Sequence, residues 1–325
     1  MMFDDVLSFL DRHASFILTT HDSPDADGIG AQLVLSAVLK KKEKKVRIIN
    51  SSPVPSYLGF IDNPMVIENW DPEKHSHLLK ESALLILDTS EEFYLGSMRD
   101  VLKKVRETFV FDHHEPNPRS KLKGLIDSFA ASTSELAIEF ACSEGVELDP
   151  TTATAAYAGI VHDSGFFAFP KTGIRTFKAA IKTLEWGAYP NEIYRNLMEN
   201  SSCAAILLQK QALANMEFYY NKQVAVIPLY NEDLEITGAS YEDAENIVNI
   251  PLKAKEVEVS LLLKEMPNEE VRCSLRSKGK VNVSKIAQGF GGGGHVTAAG
   301  FKTYLGMEET LKKLLANTET WLDRS

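Results

Sequence analysis

Three apolar runs in this chain each stop abruptly on ionisable side chains, and few folds accommodate that pattern. Ser15-Phe-Ile-Leu-Thr-Thr20 leads into His21, Asp25 and Asp27; Ala83-Leu-Leu-Ile-Leu87 leads into Asp88; Thr108-Phe-Val-Phe111 leads into Asp112-His113-His114. Short apolar runs bounded by polar turns read as strands buried on both faces, the pattern of a parallel sheet. Carboxylates and imidazoles at the exits of such strands are costly unless something binds there. In α/β sheets ligands bind at the carboxyl ends of the strands. Three strands delivering these groups to one edge therefore suggest a metal site with more than one ion.

The surrounding pattern supports that sheet. Phe3, Val6, Leu7 and Leu10 recur at helical spacing and open the fold with a short amphipathic helix. A helix is expected over 28–42, with Ile29, Leu33, Val34 and Val38 on one face, followed by a strand over 46–50. This strand–loop–helix–strand order, continued through strands at 83–88 and 107–112, is that of a doubly wound parallel sheet. Residues 125–127 are a candidate for one more short strand. Helical patterns then dominate to about residue 218, beginning at Ser132 with Glu135 three residues on, a capping-box start. Further helices are expected over 150–162, 174–186 and 191–198, and residues 203–219 read as the connector. Strands at 224–228, 257–263 and 271–275 and a closing helix over 307–322 complete the chain. The expected organisation is a catalytic domain over 1–195, a helical linker over 196–220 and a smaller α/β domain over 221–325.

A net charge of −10 argues against coating long duplex nucleic acid, which draws on many Lys and Arg contacts to phosphate. The basic residues are locally concentrated. From Val271 to Lys302 the chain carries Arg272, Arg276, Lys278, Lys280, Lys285 and Lys302 and no acid, although it holds 45 acids in all. That window is a candidate anion-binding surface. Cys142, Cys203 and Cys273 are odd in number and widely spaced, as expected of reduced thiols in the cytoplasm. No apolar run approaches the roughly 18 residues that span a bilayer. The opening Met-Met-Phe-Asp-Asp lacks the basic start of a signal peptide, so no membrane association is expected.

Taken singly, the ionisable residues have ordinary explanations. The loop over 21–27 could be an Asx-rich turn capping a helix, although His21 with Asp25 and Asp27 after a buried strand favours metal. Asp88 reads equally as a carboxylate bridging two cations or as a cap, since Thr89 and Ser90 follow it. Asp163 alone reads as turn chemistry before the helix-stop residue Gly165. Jointly they form a carboxylate-rich set with a few imidazoles, which suits Mn or Mg over structural zinc. Two such ions suit phosphoryl transfer.

His21-x-x-Pro24-Asp25-x-Asp27, Asp88-Thr89, Asp112-His113-His114 and Asp163-Ser164-Gly165 resemble the four ordered motifs of the DHH phosphoesterase family. Residues 285–300, with four glycines at 291–294 before His295, resemble the glycine–histidine motif of its associated C-terminal domain. Ser164 stands where that family commonly has Thr. The resemblance implies one metal held by His21, Asp25 and Asp88 and another held by Asp27, Asp88, His113 and Asp163. Asp88 would bridge them, and water activated by the pair would be the nucleophile. It also implies that Asp112 orients His113 and that His114 faces the substrate, touching phosphate or assisting the leaving group. Asp88, Asp112 and His114 are thus the expected catalytic residues.

Gly291 to Gly294 read as a flexible nest whose N–H groups point at one anion, and Arg276 at a strand end suits bidentate phosphate binding. The resemblance assigns Arg276, Ser277, Asn282, Gly292, Gly293, Gly294 and His295, with His114, to gripping the nucleotide. Within the family, a two-domain chain of this length is most similar to the oligoribonucleases for very short RNA that also dephosphorylate 3′,5′-bisphosphate nucleotides such as pAp. The implied cofactors are two divalent ions, Mn ahead of Mg. The implied partners are short single-stranded RNA or DNA and nucleotides, with a homodimer left open. The alternatives are a stand-alone cyclic- or linear-dinucleotide phosphodiesterase, a manganese pyrophosphatase and a RecJ-like single-strand exonuclease.

Overall fold

The computed structural model describes residues 2–61 and 66–322. The chain divides into two compact units, Met1–Asn200 and Ser201–Ser325.

The first unit is built on six parallel strands: β1 (Ser15–Thr19), β2 (Lys45–Asn50), β3 (Ile67–Asn69), β4 (Ala83–Leu87), β5 (Thr108–Asp112) and β6 (Gly124–Ile126). They lie in the order β3-β2-β1-β4-β5-β6. Every residue of β4 is buried, as continuous apolar character requires of a central parallel strand. The order reverses between β1 and β4, so chain leaving those two strands diverges and opens a crevice at their carboxyl ends. The His21–Asp27 loop and Asp88 emerge there.

Helices α1 (Asp4–Arg12), α2 (Ala26–Lys41), α3 (Pro72–His75), α4 (Thr133–Ser143), α5 (Pro150–Asp163), α6 (Ile174–Glu185) and α7 (Pro190–Met198) complete this unit. One face of the sheet packs Phe16, Leu18, Leu85 and Phe111 against residues of α1, α2, α4 and α5, including Phe9, Leu35, Phe140 and Ile160. The other face packs Ile17, Leu84 and Ile86 against Leu79, Leu95, Met98 and Val101. Helices α2 and α5 approach closely through small residues. A Cβ on Gly159 would lie 2.2 Å from Ser134 Oγ and 2.9 Å from Asp27 Oδ1, so glycine there lets α5 close over the site.

In the second unit, α8 (Cys203–Ala214) precedes β7 (Glu217–Tyr219), β8 (Val224–Leu229), α9 (Asn231–Thr237), β9 (Val259–Glu265) and β10 (Val271–Ser277). Then come α10 (Val283–Gln288), β11 (Gly293–Gly294), β12 (Ala298–Thr303) and α11 (Met307–Leu322). The sheet runs β11-β12-β10-β9-β8-β7, antiparallel except for the β8–β9 pair.

Some expectations change. The segment 203–219 is not all helix, because β7 pairs with β8 and extends the second sheet. Helical periodicity cannot reveal a three-residue edge strand whose partner lies later in the chain. The predicted capping box at Ser132 forms by half. Its hydroxyl accepts from the Glu135 N–H at 3.0 Å, whereas the Glu135 carboxylate turns to the Arg175 guanidinium, 3.3 Å away. β3 and α3, in a stretch with no clear period, were not expected.

Candidate metal centre

Asp25 and Asp27 sit at the start of α2, and each has a structural role as well. Asp25 Oδ1 accepts from the backbone N–H groups of Asp27 and Gly28, both at 3.0 Å, capping the helix. The turn reading and the metal reading therefore hold together. His21 Nε2 lies 3.6 Å from Asp25 Oδ1 and 3.6 Å from Asp88 Oδ2. Burial alone would lower the His21 pKa, but the two carboxylates outweigh it and raise it to about 11.

Asp27 is fully buried and points at the N-terminus of α4. Its oxygens accept from the backbone N–H groups of Thr133, at 2.6 Å, and Ser134, at 2.8 Å. Free N–H groups and the helix dipole make that end a good seat for a carboxylate. Even so, burial and then the nearby Asp163 raise the Asp27 pKa to about 6. Asp88 has the left-handed φ of 61° and is 2% exposed. An aspartate held in that region marks a functional position when its surroundings fix it. Here Asp88 N donates to Phe111 O at 3.1 Å, and Asp88 Oδ1 accepts from Thr133 Oγ1 at 2.8 Å. Burial, then Asp27, push its carboxyl well above the usual carboxylate range.

His113 Nε2 lies 2.9 Å from Asp163 Oδ2, 3.6 Å from Asp88 Oδ1 and 3.9 Å from Asp27 Oδ2. Burial would lower its pKa, yet Asp163 and the other carboxylates raise it to about 10. Its Nε2 is nonetheless a buried atom without a hydrogen bond of good geometry. An orphaned nitrogen aimed into converging carboxylates is what a ligand side chain presents to a cation.

Asp112 contacts both histidines, in different ways. Its Oδ1 accepts from the N–H groups of His113, at 2.8 Å, and His114, at 3.2 Å, and lies 2.8 Å from His114 Nδ1. It therefore orients His114. The His113 ring instead presents Nδ1 to Ala130 O at 3.4 Å. The two imidazoles lie with ring centroids 4.5 Å apart, and the Asp112 carboxylate meets the ring of His114 alone. The His114 side chain is 55% exposed, with Nδ1 3.8 Å from Asp88 Oδ1.

Ligand atoms converge in two principal sets, His21–Asp25–Asp88 and Asp27–His113–Asp163, each within 4.8 Å. Asp88 faces both, one oxygen toward His21 and the other toward His113. Two sets fell outside the sequence reading. His114 joins Asp88 and His113, and His162 joins Asp25 and Asp163, with its Nε2 3.7 Å from Asp25 Oδ2. His162 had a signal in its place beside Asp163, which the helix-stop reading absorbed. Carboxylates whose pKa values are raised by burial and then by one another, facing an orphaned imidazole nitrogen, fit divalent metal.

The C-terminal residues behave less uniformly. Arg276 is half-buried, donates to Leu275 O at 3.1 Å and has no carboxylate partner among the described residues. His295 is exposed. Ser277 is buried, and its hydroxyl donates to Val281 O at 2.7 Å. Asn282 caps α10 by accepting from Lys285 N at 3.2 Å. Both side chains are committed to local structure. The glycine run is not a flexible nest, because Gly293 and Gly294 pair with Gly300 and Ala299. The N–H groups of Gly291, Gly292 and His295 donate to Gln288, Ala287 and Ala298 carbonyls. A Cβ on Gly292 would come 2.2 Å from Gly300 O, and one on Gly294 2.5 Å from Ala298 O, whereas Gly293 is open. Close backbone approach within the sheet explains Gly292 and Gly294.

A parallel sheet with carboxylates and imidazoles gathered at its switch point defines a class: α/β proteins that hold divalent metal where the strand order reverses. The chain belongs to the DHH family, as its motifs implied. Residues 15–160 match the DHH family, N-terminal domain, and residues 221–324 match the DHHA1 domain. It is 30% identical over 285 residues to the bifunctional oligoribonuclease and PAP phosphatase NrnA of Thermus thermophilus, covering 87% of this chain and 82% of that one. The protein of the same name from Bacillus subtilis is 27% identical over 324 residues, 97% of each chain. An exopolyphosphatase-related protein of Bacteroides fragilis superposes with a TM-score of 0.90 at 27% identity, covering 99% of this chain and 97% of its own.

Proposed function

We propose that this chain is a phosphoesterase that hydrolyses very short oligonucleotides to mononucleotides and dephosphorylates 3′,5′-bisphosphate nucleotides such as pAp. The observation carrying this is the buried cluster around Asp88, in a chain similar over most of its length to two oligoribonuclease and PAP phosphatases. His21, Asp25 and Asp88 would hold one ion, and Asp27, Asp88, His113 and Asp163 a second. Mn is favoured over Mg because imidazoles take part. Divalent ions here would supply an activated water and positive charge for the phosphoryl group.

The chain's own residues do the rest. Asp112 holds the exposed imidazole of His114 for hydrogen bonding to phosphate or the leaving oxygen. Arg276, without a carboxylate partner among the described residues, suits a substrate phosphate, and exposed His295 suits a second contact. Ser277, Asn282 and Gly292 would act indirectly, by shaping the backbone that presents Arg276 and His295. An acidic net charge suits a short single-stranded substrate over duplex, since few phosphates need contact. Three unpaired cysteines suit the cytoplasm.

The test is incubation with Mn and a panel of pAp, RNA two- to five-mers, cyclic dinucleotides and pyrophosphate. Turnover of pAp and RNA dimers ahead of the others is expected. Preferred turnover of cyclic dinucleotides or pyrophosphate would overturn the assignment.

A further inference from the structure

Asp163 is followed by a loop in an uncommon backbone state. Gly165, Phe166 and Phe167 have φ of 56°, 55° and 65°, three successive left-handed residues. Glycine enters that region freely, whereas the Cβ of phenylalanine disfavours it. Such strain persists only where the surroundings over-determine it, and it gathers at functional sites. Here Ser164 supplies the restraint. Its carbonyl accepts from Ala168 N and Phe169 N, both at 2.9 Å, and its hydroxyl from Phe167 N at 3.0 Å. The half-buried Phe167 ring stacks on Phe177 at 5.1 Å and meets Tyr157 at 6.1 Å.

The other two rings are displayed. Phe166 is 40% exposed and meets Tyr194 edge-on, and Phe169 is 56% exposed. Phe169 lies over Gly165, where a Cβ would come 2.6 Å from the ring. Both ends of the loop are fastened to His113. Asp163 Oδ2 lies 2.9 Å from its Nε2, and Lys171 Nζ donates to its carbonyl at 3.3 Å. Lys171 has no carboxylate partner among the described residues. A strained loop, tied at both ends to one residue of the metal cluster, thus holds two exposed aromatic rings beside the Lys171 ammonium.

We propose that Phe166 and Phe169 are a stacking platform for a base of the nucleotide whose phosphate is handled at the Asp88 cluster, with Lys171 contributing charge to that phosphate. This rests on the nucleotide reading of the site. Aromatic faces beside cations are how proteins hold single-stranded nucleic acid without reading its sequence. A nucleobase is the occupant the surroundings favour, because the rings adjoin groups suited to phosphate.

The experiment compares kcat/KM for an adenylyl dinucleotide and its abasic counterpart in the wild type, Phe166→Ala, Phe169→Ala and Phe169→Tyr. Wild type should prefer the base-bearing substrate about five- to a hundredfold, mostly through KM. Each alanine variant should shrink that preference severalfold while bound metal stays at the wild-type level, and Phe169→Tyr should restore it. Phe166→Gly, which removes the ring and relieves the left-handed strain, replaces Phe166→Ala should the latter unfold. A preference that survives in both ring-deleted variants overturns the platform. So does an altered molecular mass by light scattering with base preference intact, which would assign the rings to a second copy of the chain. A wild type that cleaves both dinucleotides equally overturns the platform alone; one that cleaves neither overturns the nucleotide reading with it.

Discussion

Thr133→Val should weaken metal binding without disturbing the metal-free fold. The Thr133 hydroxyl donates to Asp88 Oδ1 at 2.8 Å, and Asp88 is 2% exposed. Valine keeps the shape and removes that donor, while the Thr133 backbone N–H continues to hold Asp27. A hydrogen bond to a charged, buried group is worth roughly 1.5–3 kcal/mol. In the metal-free protein, burial and Asp27 already raise the Asp88 pKa, so less of that bond is lost there. A metal ion requires the ionised form, and the loss falls on that state. Mn affinity should therefore drop about ten- to a hundredfold. Titration calorimetry with chelator-stripped protein reads this, and melting in excess chelator reads the fold. Affinity within about twofold of wild type, or equal loss of stability in chelator, would refute the reasoning.

Other outcomes follow from the same geometry. Arg276→Ala should raise KM for pAp roughly tenfold or more through loss of a charged contact, with metal content intact by elemental analysis. Gly292→Ala should destabilise the second unit by about 1–3 kcal/mol, read as a lower Tm, because its Cβ would sit 2.2 Å from Gly300 O. Near pH 7.5 Mn binding should release protons, because metal-free His21 and His113, raised to about 11 and 10, are charged there and must become neutral to ligate. Affinity should fall further as pH drops below the raised Asp27 value of about 6. Calorimetry in buffers of different ionisation enthalpy measures the release.

Much of the first unit was legible because its strands are buried on both faces. Apolar runs such as Ala83–Leu87 admit few readings, and the ionisable residues at their exits mark the carboxyl edge. Less legible was what each side chain does locally. Asp112 and His113 are neighbours in sequence, yet the Asp112 carboxylate meets only the backbone N–H of His113 and takes the ring of His114. The helix start at Ser132 was readable from its capping residues. That its next two N–H groups hold the Asp27 carboxylate, 106 and 107 residues away, is tertiary information. Four consecutive glycines look alike as flexible linker, anion nest or close-packed edge strand. Only the partner strand β12 distinguishes them.

The central claim is that Asp88 serves two cations at once, with one oxygen toward His21 and the other toward His113. Its most direct test is Asp88→Ala, comparing Mn bound per chain and hydrolysis of pAp with the wild type, with folding verified by circular dichroism. The account predicts two ions bound in the wild type, loss of ions in the variant and no Mn-dependent turnover. Normal turnover in a folded Asp88→Ala protein would contradict it.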